Sequence, residues 1–168
     1  MSTLAAAEAT TERYRRAGES GDVDLAMSSF AAEAVLRSPL TDRVTFTGHT
    51  EIRALLEVAY AKLRKISFHT DIGDERTRTL VHTARIGRNA VEEVTLVRLD
   101  EQGKIAEATL FVRTLPGLVG VLDGLGPEIA RRNGRGAVAK LLSVASKPLL
   151  GMVRGGDRFG VPLVLPKR

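Results

Sequence analysis

The sequence contains no cysteine and no tryptophan, and aromatic residues make up only 4% of its 168 residues. Without cysteine the chain has no disulfide framework, no zinc-thiolate site and no thiol nucleophile. The shortage of aromatic side chains leaves no platform on which bases would stack, and this predicts a protein with no nucleic-acid partner. Hydrophobic residues nevertheless reach 43%, which is enough apolar surface to form a folded core.

Long hydrophobic runs are also missing. The first residues, MSTLAAAEATTERYRR, carry acidic and basic side chains where a secretory signal needs a continuous apolar stretch. Residues 137–153 form the longest apolar region, but Lys140, Lys147 and Pro148 interrupt it and it is shorter than the roughly 20 residues that span a bilayer. These features predict a cytoplasmic protein, with contact between its tail and a membrane surface left open.

The formal net charge of +5 is concentrated at the C-terminal end of the chain. Residues 1–115 carry 16 basic and 17 acidic side chains, whereas residues 116–168 carry 9 and 3. The later segment also holds 10 of the 16 glycines and 5 of the 6 prolines. This shift predicts a nearly neutral domain over residues 1–115, followed by a basic, Gly/Pro-rich amphipathic helical extension over residues 116–168.

Hydrophobic periodicity predicts helices first and strands afterwards. The predicted helices cover residues 3–19, 23–30 and 50–63, a hairpin covers 34–38 and 44–47, and strands cover 66–72, 77–86, 91–99 and 104–114. This order indicates an α+β fold in which helices cover one face of a curved antiparallel sheet. In the extension, the Gly-Pro pair at 126–127 predicts a new helix start, and residues 137–154 predict a basic amphipathic helix kinked at Pro148.

Three local signatures accompany this order of elements: Gly21-Asp22, Gly48 before the long helix, and the run LDEQGKI over residues 99–105. Together they resemble the nuclear transport factor 2-like superfamily, in its SnoaL-like and ketosteroid isomerase-like branch, over about residues 8–115. The resemblance implies a cone-shaped, cystatin-like fold whose curved sheet wraps around a long helix. It also implies an apolar pocket at the open end and a homodimer through the outer sheet face. Enzymes and non-enzymes share this fold, so function has to be argued from the pocket.

Two mechanisms of the family lack their residues in this chain. Ketosteroid isomerase-like members use a tyrosine, a carboxylate base and a carboxylic acid; Tyr14 matches the first, but Ser38 and Thr95 stand at the other two positions. A serine without a paired base does not remove a carbon-bound proton at neutral pH. Limonene epoxide hydrolase-like members use an arginine with two aspartates. This chain keeps Arg85 but has Leu110 near the place of one aspartate, so neither mechanism is expected.

A different carboxylate is the main catalytic candidate. If the resemblance holds, strand alternation places Glu93 and Thr95 on the inner face of the sheet, with Arg85 and Thr83 on the inner face of the neighbouring strand and His82 on its other face. A hairpin turning at residues 87–89 then sets Thr83 opposite Glu93 and Arg85 diagonally beside it. Glu93 would be a general base whose pKa is shifted by burial and by the cation. The alternatives are a structural ion pair, or a one-residue shift of register that leaves Glu93 in water.

Other residues complete the predicted site. Tyr14 is a candidate proton donor, or else a core aromatic residue, and His69 is a further catalytic candidate because imidazole titrates near neutral pH. Ser38, Leu110 and Val112 are expected to contact ligand, together with Arg85 and Thr95. No two histidines lie at i, i+2 or i, i+4 spacing together with a carboxylate and no phosphate-binding loop is present in the sequence, so neither metal nor cofactor is predicted.

The leading hypothesis is a dimeric protein that binds a small apolar or amphipathic molecule, with isomerase, cyclase or hydrolase-type acid–base chemistry open to it. The alternative is a non-catalytic interaction module whose basic tail docks on a membrane surface or a protein partner. For the apolar stripe of that tail, closing the mouth of the cone or covering a neighbouring subunit is the favoured role.

Overall fold

The computed structural model describes residues 3–164 and residue 166. Its elements are α1 (Thr3–Ser20), α2 (Val23–Met27), β1 (Phe30–Arg37), β2 (Thr45–Thr47), α3 (Gly48–Lys62), β3 (Leu63–Gly73), β4 (Thr77–Ile86), β5 (Asn89–Leu99), β6 (Ile105–Arg113), α4 (Leu115–Arg132) and α5 (Gly136–Gly155). A π-helical turn (Gly156–Gly160) and a 3-10 turn (Val161–Val164) follow α5. The six strands form one curved sheet in the order β2-β1-β6-β5-β4-β3, antiparallel except where β1 pairs with β6.

Short polar side chains fix the ends of these elements. Asp22 accepts the backbone N–H of Leu25 at 2.9 Å and so caps α2. The carboxylate of Asp100 accepts the N–H groups of Gln102 and Lys104 at 2.9 and 2.8 Å, which closes the turn between β5 and β6. These bonds are local, so they fix the start of α2 and the turn between β5 and β6, and the turn helps to set the register of the two strands.

Three predicted boundaries are wrong. The second helix ends at Met27 rather than at residue 30, because Phe30 already pairs with Ile105 as the first residue of β1. The turn between β4 and β5 has only two residues, Gly87 and Arg88, so β5 begins at Asn89. In the extension, α4 runs unbroken through the Gly-Pro pair at 126–127. A glycine before proline has no Cβ to clash with the proline ring, and the helix can therefore continue.

The core lies between the inner face of the sheet and the helices α1, α3 and α4. Its largest fully buried side chains are Leu36, Ile52, Val58, Leu80, Val97 and Ile105. Because α3 lies inside the curve of the sheet, its buried residues occupy the axis of the cone, as the resemblance implied.

A buried ion pair ties α1 to the sheet. Asp71 on β3 accepts both Nε and Nη2 of Arg78 on β4 at 2.8 Å, and the side chains are only 11% and 6% exposed. Thr11 on α1 donates its hydroxyl to the other oxygen of Asp71 at 2.7 Å, and Arg15 lies 3.7 Å from that oxygen. Both α1 contacts come from residues that flank Tyr14, so Asp71 sets the position of Tyr14 against the sheet.

Glycines allow α4 to lie directly on the sheet. A Cβ atom at Gly117 would lie 2.7 Å from the carbonyl oxygen of Ala90, and one at Gly120 would lie 2.5 Å from Nδ2 of Asn89. Real Cβ atoms do not approach backbone oxygens so closely, which explains the glycine at the first of these positions. The glycine-rich start of the extension is thus a close contact between α4 and the β4–β5 hairpin.

Helix α5 packs on α4 through its small side chains. Ala139, Ser146 and Leu150 are buried, and the Ser146 hydroxyl donates to Asp123 of α4. Near the C-terminal end of α5, Nε of Arg154 donates to Oδ1 of Asn89 at 2.7 Å, which links the helix to the start of β5. Helix α5 is therefore held to α4 through Ser146 and to the domain through Arg154.

Candidate functional site

A cavity of about 800 Å³ opens into the cone between the sheet, α3 and α4. This volume lies within the range of about 300–1,000 Å³ that small-molecule sites occupy. Most of its wall is apolar and includes Leu36, Phe46, Leu55, Leu56, Leu125 and Ile129. Since Leu125 and Ile129 belong to α4, the first helix of the extension forms part of the cavity wall.

Polar side chains from four different elements, Tyr14 of α1, Tyr60 of α3, His82 of β4 and Glu93 of β5, line this mostly apolar cavity. Its wall also includes Ser38, Thr41, Glu51, Asn133 and Arg135. His82 and Glu93 are directly paired across the β4–β5 ladder, and directly opposed side chains on one face have Cβ atoms about 4.5–5.5 Å apart. Hydroxyl, imidazole and carboxyl groups therefore share one region of the wall.

Glu93 is the group whose titration is moved toward neutral pH. Part of the residue's surface faces the cavity, but protein atoms enclose the carboxyl group, and this burial raises the pKa of Glu93 from 4.5 to about 7. A hydrogen bond opposes the shift, because the hydroxyl of Thr95 donates to Oε1 at 3.2 Å and favours the ionised form. Burial prevails, so both the protonated and the ionised form of Glu93 are populated near neutral pH.

His82 and Tyr60 each contribute buried polar atoms to the site. Within the part of the chain that the structure describes, both ring nitrogens of His82 and the hydroxyl of Tyr60 lack a hydrogen-bond partner. Burial, followed by the nearby His69, lowers the pKa of His82 to about 4, so its imidazole is neutral at pH 7. Burial also raises the pKa of Tyr60 above its ordinary value, which keeps its hydroxyl protonated. Leaving such groups unpaired costs about 1–3 kcal/mol each, so a ligand that hydrogen-bonds to them gains affinity.

Tyr14 is held by two aromatic neighbours. Its ring meets those of Phe30 and Phe68 edge to face, with centroids 5.7 and 6.2 Å apart. Burial, Tyr60 and Glu93 together raise the pKa of Tyr14 well above 10, so its hydroxyl is a neutral donor at any physiological pH. Phe68 also contacts His82, with ring centroids 4.7 Å apart. This aromatic packing fixes the positions of Tyr14 and His82 in the cavity wall.

Only some of the other predicted site residues line the cavity. Ser38 and Leu110 line it, as expected of ligand contacts. Thr95 is fully buried and reaches the site only through its hydrogen bond to Glu93. Val112 packs against the hydrophobic core and is not part of the cavity wall.

Two site predictions are wrong. Arg85 lies on the outer face of β4 and donates to the carbonyl oxygen of Arg88, so no cation accompanies Glu93 from this position. His69 is exposed on the outer face of β3, where its Nδ1 lies 3.0 Å from the Thr70 hydroxyl. Arg85 was misplaced because a three-residue turn was expected at 87–89. The two-residue turn moves β4 by one position, which turns every side chain to the other face.

His82 is the functional residue that sequence reasoning missed. It shares the inner face of β4 with Leu80, Ala84 and Ile86, all of which are buried. That apolar alternation is visible in the sequence and marks the inner face of β4. Within residues 3–164 and residue 166, no three His, Asp or Glu side chains are grouped closely enough to hold a metal ion.

The paired groups His82 and Glu93 are expected to give opposite pH dependences of stability. The raised pKa of Glu93 makes ionisation costly in the fold, so its contribution falls as pH rises from 4.5 to about 7. The lowered pKa of His82 makes protonation costly, so its contribution falls as pH drops from 6.5 to about 4. As the pH falls from about 7 to about 4, the remaining group should raise the free energy of unfolding of His82→Gln, which keeps Glu93, and lower that of Glu93→Gln, which keeps His82. Each group contributes up to about 3 kcal/mol to the difference between the two variants.

Urea unfolding of both variants between pH 4 and 8 checks this expectation. All other titrating groups are common to the two variants, so they cancel in the difference of unfolding free energies. Parallel pH profiles would show that neither group is perturbed by burial.

A curved sheet wrapped around a long helix, with a ligand-sized cavity at its open end, is the nuclear transport factor 2-like fold, also described as cystatin-like. The resemblance seen in the sequence is confirmed at the level of the fold. No protein-family model matches the chain, and neither does any curated protein.

Solved structures are similar to this chain in fold. A steroid delta-isomerase from Pseudomonas aeruginosa is 24% identical, with a TM-score of 0.66, over 77% of this chain and 93% of its own. An uncharacterised protein with a cystatin-like fold from Silicibacter pomeroyi is 19% identical, with a TM-score of 0.69 and the same coverages. A putative SnoaL-like polyketide cyclase from Shewanella denitrificans is 13% identical, with a TM-score of 0.54, over 64% of this chain and 90% of its own.

Proposed function

We propose that this protein binds a small, largely apolar molecule bearing a carbonyl or hydroxyl oxygen, and that Glu93 exchanges a proton with it. One observation carries the proposal: a carboxyl group with a pKa of about 7 stands beside neutral hydroxyl and imidazole groups in a cavity whose wall is mostly apolar. The reaction class is isomerase or cyclase-type acid–base chemistry, which agrees with the names of two fold neighbours, a steroid delta-isomerase and a putative polyketide cyclase.

The geometry supports separate roles for the polar groups in this proposal. The hydroxyls of Tyr14 and Tyr60 donate hydrogen bonds to the ligand oxygen, where they would also stabilise negative charge that develops during enolisation. Glu93 accepts the proton from the adjacent carbon and returns it, because a group that titrates near the working pH can do both. Ser38 lines the same cavity but does not supply a base, since its hydroxyl oxygen is engaged by the backbone N–H of Leu40 and a hydroxyl is a weak base without a paired group.

Neutral His82 completes the polar region. At pH 7 its imidazole carries one hydrogen and one lone pair, so it can donate to a ligand oxygen or accept from a ligand hydroxyl. The buried nitrogens require such a partner, whereas the apolar remainder of the wall favours a hydrocarbon framework. A small ketone or hydroxyketone with fused rings meets both requirements.

Filling the cavity tests the proposal. Ala59 of α3 lines the cavity, while Ala61 of the same helix is exposed to solvent. We expect Ala59→Phe to abolish binding of the fused-ring ketone 2-decalone, measured by ligand-detected NMR, and Ala61→Phe to leave it unchanged. Native mass spectrometry of the wild-type protein should also show a co-purified small molecule and give the number of subunits, since assembly through the outer sheet face stays a prediction.

Equal binding of 2-decalone by both variants would contradict the placement of the ligand in this cavity. Circular dichroism of Ala59→Phe is the control for folding. If that variant is unfolded, Leu125→Trp fills the cavity from α4 and replaces it in the comparison.

A further inference from the structure

The outer face of α5 and the turns after it form a long exposed apolar surface. We call it the tail face and define it by six side chains that are between 43% and 83% exposed: Val138, Leu141, Val144, Met152, Phe159 and Leu163. The first four follow helical spacing and lie opposite the side of α5 that packs on α4. Apolar side chains in such continuity are unusual on the surface of a monomer and mark an interaction site.

The charges beside the tail face are almost all positive. Residues 136–156 contain no acidic residue. Lys140 and Lys147 lie about two turns apart on the same side of the helix, next to the apolar stripe. Farther along, the guanidinium of Arg158 lies 5.3 Å from the centroid of the Phe159 ring, and Asp157 is the only acid up to residue 164. An apolar stripe with cationic flanks and an aromatic residue matches the acyl and anionic headgroup layers of a lipid surface.

Anchoring to the domain determines how this helix could meet a bilayer. The helical stretch Gly136–Val164 is long and apolar enough to cross a membrane by length and composition, a test that buried core helices also pass. However, Ser146 is buried and bonded to Asp123 of α4, and Arg154 is bonded to Asn89 of the domain. A helix held along its length in this way presents one face, and it lies in the plane of the interface.

We propose that the tail face docks on an anionic membrane surface, with its apolar side chains in the acyl boundary and its lysines at the headgroups. Charge decides between this occupant and a second copy of the chain. Two copies joined through the same face would bring Lys140 and Lys147 toward their equivalents with no acid to pair them, whereas anionic headgroups complement them. Docking is separate from the proposed chemistry, and either proposal can fail alone.

Docking would also place the cavity next to the membrane. Helix α4 contributes Leu125 and Ile129 to the cavity wall and carries α5 on its other side. The tail face is thus one helix away from the ligand site, and an apolar ligand dissolved in the bilayer would have a short path to the cavity.

Vesicle flotation of the full chain tests the docking proposal. We expect binding to vesicles of phosphatidylcholine mixed with phosphatidylglycerol, and much weaker binding to phosphatidylcholine alone or at high ionic strength. Lys140→Glu with Lys147→Glu should weaken binding to the anionic vesicles about tenfold or more. Arg16→Glu with Arg88→Glu makes the same change of net charge on exposed side chains elsewhere and should leave binding close to wild type.

The apolar part of the face has its own variant. Leu141→Ser with Met152→Ser changes two side chains that are 67% and 69% exposed, so the fold should persist while vesicle binding is lost. Ile72→Ser, at a residue 62% exposed on β3, is the matched control. Equal flotation of wild type and both double variants of the tail face would overturn the proposal. So would absence of vesicle binding together with a dimer, in native mass spectrometry, that Leu141→Ser with Met152→Ser dissociates.

Discussion

Replacing Glu93 with Gln is expected to slow proton exchange on a bound ketone by about a hundredfold or more. The measurement is incorporation of deuterium from D₂O into 2-decalone beside its carbonyl group, followed by NMR. The glutamine side chain keeps the size and the Thr95 contact of the original glutamate but cannot accept a proton from carbon. With wild type, the rate should rise with pH and level off above about 7, because only the ionised form of Glu93 acts as the base.

Binding separates a catalytic role of Glu93 from a structural one. Because amide and protonated carboxyl are close in shape, Glu93→Gln should bind 2-decalone with similar affinity while exchange is lost. Tyr14→Phe removes one hydroxyl from the cavity and should reduce both exchange and binding. Wild-type exchange no faster than buffer, or undiminished exchange in Glu93→Gln, would remove the acid–base part of the proposed function and leave a binding protein.

Replacing Asp71 with Asn should destabilise the protein by about 3–5 kcal/mol, because the change leaves Arg78 buried without its counter-ion. The pair is only 11% and 6% exposed, and Asp71 also accepts the Thr11 hydroxyl of α1. The same substitution at Asp24 is a matched control, since Asp24 pairs with Arg53 at 2.7 Å but is 86% exposed. We expect that control to cost about 1 kcal/mol or less.

Chemical unfolding of the three proteins checks this difference, and ligand binding extends it. Since Thr11 and Arg15 flank Tyr14, Asp71→Asn should also weaken binding of 2-decalone under conditions where the variant remains folded. Equal losses of stability in Asp71→Asn and Asp24→Asn would show that Asp71 is not a buried anchor of α1.

Local patterns allowed the fold to be predicted from the sequence. The alternation along β5, taken with the family resemblance, placed Glu93 and Thr95 on the inner face, and the resemblance placed a long helix on the axis of the cone. These elements depend on short-range periodicity and on capping residues such as Asp22, which act within a few residues of their own position.

The partner of Glu93 was not predictable in the same way, because it depends on the length of one turn. Counting two residues instead of three between β4 and β5 replaces Arg85 by His82 as the inner neighbour, and changes the expected site from an ion pair to a group of neutral polar side chains. Without the cation, burial outweighs the opposing hydrogen bond from Thr95 and raises the pKa of Glu93.

The extension shows a second limit of sequence reasoning. Its apolar stripe was expected to close the cone or to cover a neighbouring subunit. The cavity wall includes residues of α4 rather than of α5 and most of the α5 stripe is exposed, so the first role is not seen, while the second stays a prediction. Both sides of α5 are apolar enough to pack. The small residues Ala139 and Ser146 decide which side does, because they allow close approach to α4.

The central claim is that a carboxyl group in the cavity titrates near neutral pH, and NMR titration of the glutamate side-chain carboxyl carbons tests it most directly. We predict one glutamate signal with a midpoint at about pH 7, which disappears in Glu93→Gln and shifts when 2-decalone binds. Titration of every glutamate near the ordinary value of 4.5, with no signal assigned to Glu93 above it, would contradict the account.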